Sequence, residues 1–97
     1  MPLKLFLIEQ FAVDGYDTYD SAVVAAADVE SARRIHPGQH CEWSAFTGNG
    51  CWISRRDGEP ARIDDWAPHI DSVSVRCIGD AVDGTEPGVI LASFNAG

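Results

Sequence analysis

Ser21 to Ala27 reads SAVVAAA, and whether this run is helix or strand decides the fold. Alanine is the best helix former, so propensity alone assigns the run to a helix. Three features oppose that assignment: Val23 and Val24 are β-branched, the run is short, and a better helix start follows it at once. In that start Asp28 is a fitting N-cap, Glu30 and Ser31 occupy the first turn, Arg33 and Arg34 the last, and His36-Pro37-Gly38 supplies the stop. The spacing therefore predicts a strand over 21–27 and a helix over 29–36. A helix this short is marginal in isolation, so packing of Val29, Ala32 and Ile35 against a sheet must hold it.

Working outward, Leu3 to Gln10 (LKLFLIEQ) mixes aliphatic and aromatic residues ahead of a turn-rich segment, which predicts a first, mostly buried strand. Cys41 to Phe46 and Cys51 to Arg55 flank Thr47-Gly48-Asn49-Gly50, a hairpin signal that places Trp43 and Trp52 on paired strands. In either register of that turn Cys41 falls far from the partner of Cys51, which disfavours a bridge between them. The following stretch RDGEPARIDDWAPHID is polar and turn-rich, a connection with one helical turn near Asp65 and Trp66. Ser72 to Ile78 alternates, and Val89 to Phe94 is a further apolar run after Glu86-Pro87-Gly88. These are expected to form a final strand pair joined by an acidic loop. The expected order is β-β-α-β-β-β-β, an α+β domain with a single antiparallel sheet of about five or six strands and one short helix on one face.

Ninety-seven residues with 45% hydrophobic composition suit one domain over 1–97, with an expected radius of gyration of about 13 Å. The apolar runs are too short to cross a bilayer, and the N-terminus lacks the apolar segment of a secretion signal. The cysteines Cys41, Cys51 and Cys77 are odd in number, which points to reduced thiols in a soluble cytoplasmic protein.

Charge is segregated. The formal net charge is −8, and residues 1–30 and 64–97 each hold six carboxylates against one basic side chain, whereas 31–63 hold five arginines. Asp14, Asp17 and Asp20 are spaced by three, as are Asp80, Asp83 and Glu86, each trio between a preceding and a following strand. If the two loops converge, they form one anionic surface that repels nucleic acid and attracts a basic protein partner. Tyr16 and Tyr19 are then amphipathic contact residues of the kind enriched in interface anchors. The expected partner-binding set is thus Asp14, Tyr16, Asp17, Tyr19, Asp20, Asp80, Asp83 and Glu86. The acids also have a simpler use, keeping loops soluble.

Other chemistries find less support. His36, His40, Cys41 and Cys51 carry zinc-ligating atoms, but no C-x-x-C pair is present and His40 and Cys41, as strand neighbours, point to opposite faces. A calcium loop would need the alternating D-x-D-x-D-G order, which is missing. Nothing sets His36, His40 or His69 beside a cysteine nucleophile as a base. Arg55, Arg56 and Arg62 near Trp43 and Trp52 could stack on single-stranded nucleic acid, yet the net charge opposes it. The Gly-Asn-Gly loop lacks the lysine and following helix of a phosphate site. The expectation is no catalysis and no cofactor.

GYDTYDSAVVAAADVESARRIHPG at 15–38 and CIGDAVDGTEPGVILASFNAG at 77–97 resemble a family of small proteins encoded by bacteriophages and prophages. The two blocks cover nearly half the chain, and the middle is least like the family pattern. The resemblance implies a phage accessory protein acting in bacterial host cytoplasm, without implying a catalytic motif. Together with the charge, it leads to a non-enzymatic protein that binds a basic, nucleic-acid-binding host complex, for which a CRISPR–Cas inhibitor of the DNA-mimic type is a candidate. The alternative is an assembly module or homodimer that self-associates through sheet edges, motivated by Val89 to Phe94.

Overall fold

The computed structural model describes residues 3–45, 50–61 and 63–95. Phe46, Thr47, Gly48, Asn49 and Arg62, on which the expected hairpin turn and part of the arginine cluster fall, lie outside the described residues. The chain runs β1 (Lys4–Gln10), β2 (Thr18–Ala26), α1 (Val29–Arg33), β3 (Cys41–Ser44), β4 (Cys51–Ser54), a 3-10 turn (Ile70–Ser72), β5 (Val73–Asp80) and β6 (Gly88–Asn95). This is the expected α+β order, and the radius of gyration is 13.0 Å.

SAVVAAA is strand because both of its faces are occupied. Ala22, Val24 and Ala26 are buried toward a second layer, where small side chains allow that layer to approach closely. Val23 points the other way, beside Leu7 and Leu91. Asp28 caps α1 as expected, its extended backbone and Oδ1 accepting the Ser31 N–H at 2.8 Å. That bond, first to the backbone, also holds its carboxyl below the usual aspartate range. The helix stops at Arg33, short of 36, and buries Ala32, while Ile35 packs at the core's margin and Val29 stays 42% exposed.

Two features of the sheet differ from expectation. The strands form a four-stranded sheet, β5-β1-β2-β6, and a separate two-stranded ribbon, β3-β4, instead of a single sheet. The ribbon, α1 and the 63–72 connection make the second layer, burying Trp52, Cys41, Ala32, Trp66, Ala67 and Ile70 against Phe6, Ile8, Ala22 and Val24. Nor do β5 and β6 pair with each other: they add to opposite sides of the β1–β2 hairpin, β5 on β1 and β6 on β2. Crossing the two intervening strands requires about 14 Å, and the seven-residue link 81–87 can reach about 26 Å. Hairpin pairing is therefore not forced by that loop's length.

The ribbon register sets Trp43 opposite Trp52, Ser44 opposite Cys51 and Cys41 opposite Ser54, so the cysteines do not face each other. The connection carries no helical turn at Asp65; among its described residues the helical turn is Ile70–Ser72. Its two tryptophan neighbours differ in one respect. Trp52 Nε1 donates to Ala67 O at 2.9 Å, whereas the buried Trp66 Nε1 has no acceptor among the described residues.

That difference is measurable. Trp52→Phe and Trp66→Phe remove the same volume, but only Trp52→Phe orphans a buried carbonyl, which costs about 1–3 kcal/mol. Urea denaturation should therefore show Trp52→Phe as the less stable variant by that margin; equal stabilities would contradict the assignment.

Candidate functional site

Three side chains meet where the end of α1, the start of β3 and the connection converge. His36 Nε2 is 3.0 Å from Asp65 Oδ1, and His40 Nε2 is 3.2 Å from Asp65 Oδ2. The His36 side chain is fully buried, Asp65 is 21% exposed and His40 52%. Backbone bonds fix the geometry: Tyr19 N–H donates to Asp65 O at 2.8 Å, and Arg55 N–H to His40 O at 3.1 Å. Gly38 lies between the rings, and a Cβ there would stand 2.9 Å from His40 Cδ2. The His36 ring meets the edges of Tyr19 at 6.0 Å and Trp52 at 5.5 Å and tilts against His40 at 4.4 Å.

Two imidazoles and a carboxylate with ligand atoms within 4.8 Å could hold a divalent ion. One contact opposes an ion on His36 Nε2. His36 Nδ1 accepts the Gly38 N–H at 2.9 Å, which uses the lone pair of the neutral ring and places its proton on Nε2, facing Asp65. Metal-binding histidines donate from their second nitrogen; this one accepts there, so a metal on Nε2 would leave two N–H groups opposed at Gly38. Burial pushes the Cys41 thiol up, with the Asp65 charge adding and Arg55 opposing, and its Sγ lies 3.1 Å from His40 Nδ1. The cluster is a carboxylate held between two imidazoles, one on each oxygen. Of the four expected zinc residues, His36, His40 and Cys41 assemble here, and Cys51 lies three positions along the ribbon. The chain Cys41, His40, Asp65 has the connectivity of a nucleophilic triad, but the thiol is 2% exposed and its pKa is raised, opposite to activation.

The expected partner-binding residues do not form one surface. Lys4 of β1 lies at the same sheet end as Asp80 and Gly88, and Gln10 at the end with Thr18 and Asn95. The loop with Asp14 and Asp17 is therefore at one end and the loop with Asp83 and Glu86 at the other, about 20 Å apart along β1. This exceeds two screening lengths at physiological salt, so the trios act as separate charges. Asp80 ends β5 and pairs with Lys4 at 3.4 Å. Asp20 is the extra residue of a bulge between Tyr19 and Ser21. That bulge reverses the strand's alternation and turns Tyr19 inward, onto His36 and 4.7 Å from Phe94. Tyr16 remains an exposed ring, at 78%.

Sequence reasoning missed Asp65, Phe11 and Val82. The last two are exposed apolar residues within the acidic loops. Asp65 carried one signal, its place beside Trp66, a large apolar residue in a polar stretch that must anchor somewhere. The first loop is held rigid by buried Gln10, whose amide donates to Val13 O and Tyr19 O and accepts from Val13 N–H at 2.8–2.9 Å. Among the described residues no helix is long and apolar enough to cross a membrane. No family model, curated protein or solved structure matches the chain.

Burial holds the His36 pKa below its ordinary value despite Asp65, which pulls it up. The unfolded ring therefore takes a proton at higher pH than the folded one. The stabilisation is complete above the unfolded value of about 6.5 and is lost as pH falls below it. Unfolding midpoints should drop between pH 7 and 5 in the wild type and drop less in His36→Gln, whose amide can donate to Asp65 without titrating. A midpoint constant or rising over that interval would contradict the buried neutral ring. Asp65→Asn sets an NH2 against one imidazole N–H and should cost about 2 kcal/mol at pH 7, read by urea denaturation.

Proposed function

We propose that this chain is a non-enzymatic binding protein whose partner is a basic surface on another protein. One observation carries the reading: an exposed apolar strand, β6, has an acidic cluster at each end. Asp83 and Glu86 precede Gly88, while Asp17 N–H bonds to Asn95 O and Asp20 lies nearby on β2. Ile90, Leu91 and Phe94 between them are 53%, 69% and 44% exposed. Apolar contact supplies affinity in such an arrangement, and the flanking carboxylates supply selection and encounter rate. The buried, protonated thiol of Cys41 supports a role outside nucleophilic catalysis.

The same charge distribution speaks against the assembly reading. Two copies joined along β6, parallel or antiparallel, would set acidic cluster against acidic cluster in a dimer of two chains of net charge −8. It also changes the form of the leading expectation. A DNA mimic needs a continuous row of negative charge, and here an apolar strand separates two clusters, which suits a protein segment better than a whole DNA channel. The resemblance to phage-encoded proteins supports a bacterial nucleic-acid-binding complex as the source of the partner, CRISPR–Cas effectors among them.

The test is capture from bacterial lysate with wild type and with Asp17→Asn/Asp20→Asn/Asp83→Asn/Glu86→Gln. Proteins with lysine- and arginine-rich surfaces should be retained by the wild type, released by salt and lost with the variant. A set of captured proteins unchanged by neutralisation would contradict the proposal. Light scattering at physiological salt should give the mass of one chain across concentrations.

A further inference from the structure

The reading above concerns charge; the backbone of β6 adds a mode of binding. β6 is the last strand of the order β5-β1-β2-β6, so one of its edges pairs with β2 and the other faces outward. Sheet edges are ordinarily guarded by charged side chains, prolines or bulges, because an open edge templates another strand. The edges of this sheet are guarded unequally. β5 (VSVRCIGD) carries Arg76 and Asp80 and a register shift opposite Leu5 and Phe6. β6 (GVILASFN) carries no charge and no proline, and its sole device is a bulge at Ile90. Beside it, on the sheet face away from the second layer, Leu7, Val23 and Leu91 line a shallow groove with Ser21 and Ser93.

We propose that β6 is the docking edge for an extended segment of the partner, which adds as a fifth strand to the sheet. The eight-residue strand is about 23 Å long. The segment it fits has an uncharged centre of β-branched or aromatic residues and a lysine or arginine near each end. Main-chain hydrogen bonds to the free edge hold such a segment, and alternate side chains determine which segments are accepted. On the outer face those side chains lie over the groove beside Leu91. At the ends, the basic residues meet Asp83 and Glu86 on one side and Asp17 and Asp20 on the other. A second copy fails this requirement, since β6 itself is flanked by acid. The inference rests on the basic-partner reading, and the experiment separates the two.

The probes are synthetic nine-residue peptides with one threonine-valine centre, ended by lysines or by glutamates, the lysine-ended one also prepared with N-methyl groups on alternate amides in either phase. Binding is read by fluorescence anisotropy at low and physiological salt. The lysine-ended peptide should bind at least about tenfold more tightly than the glutamate-ended one, with the difference shrinking in salt. One phase of N-methylation should abolish binding and the other should not, because only alternate amides face the edge. Leu91→Lys should weaken binding about tenfold, whereas Ser74→Lys on the opposite edge should not; circular dichroism verifies that both variants fold. Should Leu91→Lys be unfolded, the N-methyl series on the wild type decides alone. Equal binding of both N-methylated phases and of unmethylated peptide would overturn the edge and leave the basic-partner reading standing. No preference for lysine ends would overturn both.

Discussion

The carboxylate of Asp65 is held between two imidazoles, one on each oxygen, and the second layer is assembled around that contact. His36 comes from the end of the helix, His40 from the start of the ribbon, and Asp65 from the connection leading to β5. The Asp65 carbonyl is tied to Tyr19 of β2, so the same residue fastens the second layer to the sheet. None of these segments could hold its place alone: the helix has five residues and the ribbon two strands of four. Short elements are stable only through tertiary contacts, and here those contacts are a hydrogen-bonded clamp set among aromatic rings. Trp43, Trp52, His36, Tyr19 and Phe94 touch in sequence from the ribbon to the edge strand, with ring separations of 4.7–6.0 Å.

The reactive-looking residues are used for architecture. Histidine, cysteine and aspartate within bonding distance resemble a metal centre or a triad when only distances are considered. Counting partners weakens that resemblance, because each ring nitrogen and the thiol already lie within hydrogen-bond distance of another group. The described surface exposes the outward edge of β6 and the apolar side chains of Ile90 and Leu91, alongside Phe11 and Val82 in the loops. A clamp that fixes Tyr19 also fixes Phe94 and the end of β6, so the interior provides a rigid edge on which a partner strand can register.

Much of the local structure was legible. SAVVAAA as strand, Asp28 as cap, and Trp43 and Trp52 on paired strands all follow from patterns within about ten residues, where β-branching, capping and turn chemistry act, although the pairing of Trp43 with Trp52 belongs to neither register suggested by the Gly-Asn-Gly turn. Tyr19 was expected as a loop contact residue because the strand was expected to begin at Ser21; β2 begins at Thr18, and the bulged residue Asp20 turns Tyr19 inward. The positions of β5 and β6 were not legible, because each completes a different hydrogen-bonding edge of the central hairpin and chain order does not specify which. Asp65 was the least visible: it lies 29 residues from His36, in a stretch whose composition describes a loop. Its role depends on a contact formed only after the layers close.

The most direct measurement is long-range 1H–15N correlation NMR of the histidine rings at neutral pH, which distinguishes the two tautomers and the protonated form. The account predicts that the His36 ring is neutral with its proton on Nε2, and that added zinc leaves its signals in place. A proton on Nδ1 of His36, or a zinc-dependent shift of both rings, would contradict the clamp and return the site to metal chemistry.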